Sequence, residues 1–474
     1  MKQASTKSNR RRWSSGRLAG FSILITFALL IMLGGCTPQT GSVSIPVDTT
    51  QVFSDAGSKD IPEKWWSVFN DEQLNVLVDS ALTSNFNLLT AWERLREARS
   101  VVDRASSSFF PTLDASAQGE VSQYQSQFVQ DQQLSLGLSS DYEIDLWGRI
   151  SSRVEAERYR QQATRQDYQT AALSLSAEVA RVWYQLVEAR NELELITDQV
   201  QTNEKVLTLL KSRFGSGQIR SVDILRQRQL LEATREQAIS AEARLEVLKH
   251  QLSVLLGNPP QSSLAMDEAD LPDLPSLPQT GIPTDLIRRR PDIQSAFNRL
   301  QAADREVASA ISSRYPRLSL SVSASTAADN ASDLFQDWSR RVAGNLLTPL
   351  FYGGQLQAEV DRTKAVKKQR LYEYGQTVLI AFREVEDALI REKKQKQTIQ
   401  SLQQQLDLAR QSYEQLRIEY FNGMGGYLDV LTALDEQQQL RRDLLSARLT
   451  MLEYRIALYR SLAGGIDLES LRNE

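Results

Sequence analysis

Residues 149–214 contain neither glycine nor proline, and that stretch limits what the chain can become. Within it, Leu175, Val179, Val182, Leu186, Ala189, Leu193, Ile196, Val200, Asn203, Leu207, Leu210 and Phe214 alternate spacings of four and three. That is a coiled-coil seam, and only Asn203 in it is polar. A helix of about 65 residues runs to ~100 Å at ~1.5 Å per residue, longer than an ordinary globular core. The register returns 206 residues later, from Ala381 through Val385, Ala388 and Glu392 to Tyr413, Leu416 and Tyr420. The next helix behaves alike: Leu231 to Leu255 map onto Gln437 to Ser461. Each half therefore reads as a long helix, a glycine-containing turn and a returning helix. From the helices alone, a fibrous coiled-coil spacer stays open as a reading.

The duplication extends beyond the helices. Phe110-Pro111-Thr112-Leu113 corresponds to Tyr315-Pro316-Arg317-Leu318, and Gly217, Asp223 and Leu225 to Gly423, Asp429 and Leu431. Six of the 13 prolines fall between Pro259 and Pro283, marking an irregular passage between the halves. Leu134, Leu136, Leu138, Ser140, Tyr142 and Ile144 alternate with polar residues, as do Leu318, Leu320, Val322 and Ala324, so both stretches read as strands with one apolar face. Weaker partners, Leu113 to Gln123 and Trp338 to Leu350, give each half one hairpin. The connections near Gln123–Asp131 and Ala327–Asp337 are polar, as external loops are. Phe109, Phe110, Tyr142, Trp147, Tyr315 and Phe351 gather at the opposite strand ends, which suits a membrane-interface girdle or the capping of a soluble sheet. Four strands cannot close a barrel, and open edges in lipid leave backbone groups unsatisfied at several kcal/mol each. Strands in a membrane must then be pooled among copies: two chains would give a filled cylinder, three a water-filled passage, which small polar inward faces favour.

The N-terminus reads as an address. Lys2, Lys7, Arg10, Arg11, Arg12 and Arg17 precede an apolar run from Leu18 to Leu33, too short for a comfortable membrane span, and then Gly34-Gly35-Cys36. Leu33-Gly34-Gly35-Cys36 resembles a bacterial lipobox. It implies that residues 1–35 are a signal peptide and that Cys36 carries the lipid, palmitate included. Thr37 rather than Asp follows, which implies sorting to the outer membrane. The arginine triplet lacks the usual twin-arginine flanks, so the general export route is expected. No other apolar run of about 18 residues exists. The chain carries −4 overall, but −10 without its basic first 35 residues, which argues against nucleic acid as a partner. A single Cys and a single His, His250 in a helical stretch, exclude an intrachain disulfide and a multi-Cys/His zinc site. With no phosphate-binding loop, no paired metal ligands and no placed His, no enzyme and no cofactor are expected.

Several ordered motifs resemble one family. Trp65-Trp66 followed by Phe69, Asp71-Glu72 and Leu74, then Asn85-Phe86-Asn87-Leu88 with Ala91, look like the opening of the outer membrane efflux lipoproteins. Asp145-Leu146-Trp147-Gly148-Arg149, Arg289-Arg290-Pro291-Asp292-Ile293 and Pro349-Leu350-Phe351-Tyr352-Gly353-Gly354 fit the same family. It is the OprM/NodT-like branch of the TolC-like outer membrane factors that serve resistance-nodulation-division pumps, and the match runs from about Trp65 to Gly465. The resemblance implies an α+β membrane protein: a homotrimer with a 12-stranded β-barrel, four strands per protomer, continuous with a long periplasmic α-helical barrel, and an internal duplication. The organisation expected is a lipidated extended segment at 36–64, a first repeat at 65–258 with a hairpin at 112–147, and a Pro-rich linker at 259–284. A second repeat at 285–465 with a hairpin at 316–350 and a tail at 466–474 complete it.

The function implied is the outer membrane channel of a tripartite efflux pump, passively conducting drugs or other small toxic compounds and so conferring antibiotic resistance. Its partners would be further copies of itself, a periplasmic adaptor, an inner membrane resistance-nodulation-division transporter and outer membrane lipids. A duct of a type I protein secretion system and a non-conducting periplasmic scaffold lipoprotein are the alternatives. The resemblance also places a gate at the tip turns. Asp429 matches an acidic constriction, joined by Leu428 and Tyr420, while Gly215, Gly217, Gly423, Gly425 and Gly426 shape the turns that would meet the adaptor. Two carboxylates about 6 Å apart repel by only ~0.7 kcal/mol in water, so three copies of Asp429 could still close. An Asp at a turn is also a good helix N-cap, and Tyr420 could equally be core. The pattern departs from TolC at Gly425, which replaces an Arg, and at Thr432, which replaces a second Asp, so closure would rest on Asp429, Leu428 and their neighbours.

Overall fold

The computed structural model describes residues 53–55, 57, 60–123, 130–262, 270–281, 283–462 and 466. The expected signal segment and Cys36 lie outside them. Eight α-helices and four strands follow in chain order among the described residues: α1 (Glu72–Ser84), α2 (Phe86–Ser106), β1 (Asp114–Gln123), β2 (Gln130–Ile144), α3 (Arg149–Gly215), α4 (Ser221–Leu255), α5 (Pro283–Arg289), α6 (Pro291–Ser312), β3 (Arg317–Ala328), β4 (Ser339–Leu347), α7 (Gln355–Phe421) and α8 (Tyr427–Leu462). The two long helices are each 67 residues. Contacts divide the chain into two units. One holds Asp103–Ala156 and Ala303–Lys367, including the sheet; the other holds Glu157–Ala302, the helical bodies after Lys368 and the described part of Ser44–Val102.

In the first unit the four strands form one antiparallel sheet in the order β1-β2-β3-β4. The expected hairpins are present, and β2 additionally pairs with β3, which joins the two repeats. The registers align the apolar positions of all four strands. Leu138 faces Ala115 and Ala324, Leu136 faces Ala117 and Thr326, and Val322 faces Val342. Because side chains alternate between faces, one side of the sheet collects most of the Leu, Val and Ala residues, and the other collects Ser116, Ser139, Asp141, Ser321 and Ser323. The apolar side is open: Leu320, Val322, Val342 and Leu346 are all exposed. On the polar side Ser321 donates to Asp141 at 2.7 Å, and Arg149 forks onto Glu143 at 2.8 Å. Among the described residues β1 and β4 each have a single ladder partner, so the sheet has two free edges.

In the second unit the core gathers around the N-terminal motif. Trp65 and Trp66 are fully buried in a short 3-10 turn, with Trp65 stacked on Tyr459 at 5.8 Å and donating through its indole N–H to Ser176. At ~25 cal/mol per Å², each indole contributes roughly 4–6 kcal/mol of transfer free energy. Asp71 caps α1 through the Leu74 amide and accepts a 2.7 Å bond from the Trp183 indole. Asn85 accepts from the Asn87 and Leu88 amides, starting α2, and donates to the Leu255 carbonyl. Buried Arg290 binds Asp292, Glu384 and the Ser461 carbonyl. In the first unit Asp145 caps α3 through the Ile150 and Ser151 amides. The motifs that carry the family resemblance therefore include caps and buried polar anchors that hold the fold together. No helix among the described residues is long and apolar enough to cross a membrane.

Candidate functional site

The two glycine turns end the long helices with the same backbone. Gly217 at φ 72° lets the Gln218 amide reach the Arg213 carbonyl at 3.0 Å and the Gly217 amide reach Phe214 at 2.9 Å. Gly423 at φ 75° repeats this, with Met424 bonded to Glu419 at 2.9 Å and Gly423 to Tyr420 at 3.1 Å. Both are Schellman caps, which need the left-handed conformation that glycine adopts without a Cβ penalty. Gly215, Gly425 and Gly426 complete the two turns at ordinary φ.

Between the turns a small core forms from Leu210, Tyr427 and Val430, with Val206, Ile219, Ile224 and Tyr420 packed on it. Arg213 lies over the rings of Tyr420 at 5.1 Å and Phe421 at 5.2 Å, a cation–π clamp between the two turns. Above it runs a buried polar ladder. The Tyr427 hydroxyl donates to Gln227, Gln227 donates to the Asn203 carbonyl at 3.0 Å, and the Asn203 amide donates to Thr234 at 3.0 Å. Gln438 exchanges bonds with Asn203 at 3.3–3.4 Å, and Gln199 donates to the Gln438 carbonyl at 3.1 Å. The lone polar residue of the seam thus pins α3, α4 and α8 in one register, as a buried Asn does in coiled coils.

The expected site residues divide. Tyr420 is half-buried in the tip core, and its hydroxyl has no hydrogen-bond partner among the described residues. Burial pushes its pKa up, Arg213 opposes this and Asp223 adds to it. Leu428 and Asp429 are exposed in the first turn of α8. Asp429 is not the N-cap that an Asp at a turn suggests: the helix already begins at Tyr427, so its carboxylate meets the positive end of the helix dipole from within the first turn. The residue that sequence reading did not single out as functional is Asp223, the counterpart of Asp429. It is 5% exposed, one carboxylate oxygen has no partner among the described residues, and its charge raises the pKa of Tyr420 and Tyr427. Its spacing is that of Asp429, so only the packing distinguishes them. No group of three or more His, Cys, Asp or Glu among the described residues is placed to hold a metal ion.

The fold agrees with known proteins. The family model described as outer membrane efflux protein matches twice, at residues 77–258 and 282–464. The pyoverdine export outer membrane protein OpmQ of Pseudomonas aeruginosa is 29% identical over 463 residues, covering 93% of this chain and 96% of OpmQ. The solvent efflux pump outer membrane protein SrpC of Pseudomonas putida is 29% identical over 479 residues, covering 94% and 98%. The solved outer-membrane channel OprN superposes with a TM-score of 0.84 at 28% identity, covering 91% of this chain and all of that one. The fold class is thus the one expected, a duplicated α+β membrane protein contributing four strands per chain. With the family model covering more than half its length, this chain belongs to the outer membrane efflux protein family and is an outer membrane efflux channel of the TolC-like kind.

Proposed function

We propose that three copies close one twelve-stranded barrel in the outer membrane and form the passive exit duct of a tripartite pump, whose energy comes from an inner membrane transporter joined through a periplasmic adaptor. The observation that carries this reading is the four-stranded sheet with two free edges, one exposed apolar face and one Ser-rich face. Such a sheet is stable in lipid only when its edges are paired by other copies, and its polar face then lines water. The chain does no chemistry of its own. Relatives named for pyoverdine export and for solvent efflux support a duct that selects little and leaves the choice of cargo to the pump. The periplasmic gate is the tip: the exposed Asp429 carboxylates of three copies ring the axis beside Leu428, Tyr420 braces the turn from behind, and the surfaces around both glycine turns receive the adaptor.

Planar-bilayer recording of the purified full-length protein tests the duct. Ion conductance in trimer-sized steps is expected. Insertion without conductance would favour the scaffold reading, and monomeric material in detergent would remove the shared barrel.

A further inference from the structure

The chain contains one completed aromatic clasp and, at the duplicated positions, two uncovered halves that lack its Trp. Where β2 exits toward α3, Trp147 stacks on Tyr315 with centroids 5.0 Å apart and planes at 28°. The Trp147 indole donates to the Pro316 carbonyl at 2.8 Å, and the Ser312 hydroxyl donates to the Trp147 carbonyl at 2.7 Å. The exit of the first hairpin is thereby fastened to the entrance of the second, beside the β2–β3 ladder that joins them.

The exit of the second hairpin carries Gly353 in place of Trp147, with exposed apolar side chains just before it. In the Pro349–Gly354 turn, Leu350 is 91% and Phe351 89% exposed, and a Cβ on Gly353 or Gly354 would meet nothing within 4 Å among the described residues. The first hairpin has the same entrance, also uncovered. Phe110, the counterpart of Tyr315, is 70% exposed. Ser107, the counterpart of Ser312, lines with Phe110, Ile150, Val154 and the charged Glu143 and Arg149 a cavity of about 250 Å³.

The strand registers say where these halves meet. The two hairpins superpose with β1 on β3 at an offset of 205 and β2 on β4 at 206. Carrying the β2–β3 register over to β4 and the β1 of another copy sets Leu346 opposite Ala117 and Gly344 opposite Gly119, apolar face on apolar face, with Asn345 opposite Gln118. Antiparallel pairing in that register runs the turn after β4 past the start of the neighbour's β1, with Gly353 opposite Phe110 and Phe351 opposite Thr112, two residues along on the same side.

We propose that the Leu350-Phe351-Tyr352 turn of one copy closes on Phe110 and Ser107 of the next, an intersubunit aromatic clasp at the place of the intrachain Trp147–Tyr315 one, in which Phe351 reaches Phe110 diagonally because Gly353 stands where Trp147 does. It rests on the closed-barrel reading above and gives the exposed signature turn a role: fastening each subunit boundary where strands become helices. The occupant of the Phe110 cavity is a second copy of this chain.

Two measurements on the full-length protein in detergent separate the clasp from the closure it rests on. Asn345→Cys with Gln118→Cys should give disulfide-linked oligomers up to the trimer, reporting the strand register. Dissociation of the trimer in hot dodecyl sulfate then reads the clasp. Phe110→Ala and Phe351→Ala should each speed it by roughly 2- to 10-fold, and the double variant should be no faster than the faster single one. Phe351→Leu, which keeps apolar volume without the ring, gives the same reading if alanine prevents assembly. Wild-type rates, or fully additive ones, in a protein that still cross-links would place the turn against lipid and overturn the clasp alone. No cross-link and no trimer would overturn the closure and the clasp with it.

Discussion

The two 67-residue helices carry the same heptad register and end in the same cap, yet they are covered differently. Toward the tip of α3, Ile196, Asn203, Leu207 and Leu210 are buried, because α4 and α8 pack on it within the chain. At the matching positions of α7, Leu402, Ala409, Tyr413 and Leu416 are only half-covered, and Leu408 and Ile418 stand exposed. Duplication reproduced the backbone, while the neighbours available to each copy decided its chemistry. The first repeat could place a hydrogen-bonded polar ladder in its seam; the second, at the same position, has Ala409. Within a proposed trimer, the open side of α7 is the one left for another subunit.

The largest effect that would break this comparison lies at the ladder. Asn203→Ala leaves Gln438 and Thr234 short of a partner in a fully buried site, so the tip should lose about 2–3 kcal/mol. Ala409→Asn, at the half-covered position, should change stability by less than about 0.5 kcal/mol. Hydrogen exchange of the amides of α4 and the start of α8 reads both. Equal losses would mean that the two helices are covered alike.

That ladder also marks how far the sequence could be read. The four-three spacing placed both long helices, because a seam repeated over many turns leaves no other period. Alternation placed the strands within a few residues, with β1 and β4 starting one residue later than expected and β4 ending at Leu347 rather than Leu350. The β2–β3 pairing could not be read, since any antiparallel partner of the right parity satisfies the alternation. Asn203 was visible only as an exception in an apolar row, because its partners Thr234 and Gln438 lie in other helices. The same limit hid the roles of Asp71, Asn85 and Arg290, which stood out as signature residues and act as caps and anchors.

Two tyrosines sharpen the comparison at a smaller scale. Tyr427 donates to Gln227, which is fully buried, whereas the Tyr420 hydroxyl has no partner among the described residues. Tyr427→Phe should cost about 1–2 kcal/mol, and Tyr420→Phe less than about 0.5 kcal/mol. Burial, above all, raises both pKa values. The folded tip therefore keeps its phenol protons where the unfolded chain begins to lose them, near pH ~10. The stability this provides is complete below that pH and falls as pH rises above it. Alkaline titration of tip protection should show a shallower fall in Tyr427→Phe, and an unchanged fall would assign the alkaline loss to other groups.

The smallest changes in stability separate the two aspartates, and there the functional readout is what matters. Asp223 is a buried carboxylate in the first turn of α4 with one unpartnered oxygen, so Asp223→Asn relieves a burial cost that the helix dipole only partly offsets and should stabilise the tip by up to about 1 kcal/mol. Asp429 is exposed in the first turn of α8, so Asp429→Asn should cost about 0.5 kcal/mol through the helix dipole. Single-channel current should respond in the opposite order. In the proposed gate three Asp429 carboxylates would ring one axis and attract divalent and trivalent cations, so Asp429→Asn should weaken block severalfold at low salt, and the difference should shrink as screening shortens the reach of the charge. Asp223→Asn, at a buried position, should leave block unchanged. If block instead disappears with Asp223 and survives without Asp429, the carboxylate that faces the permeating ions is the one the fold hides within a single chain, and the tip must rearrange when the channel assembles.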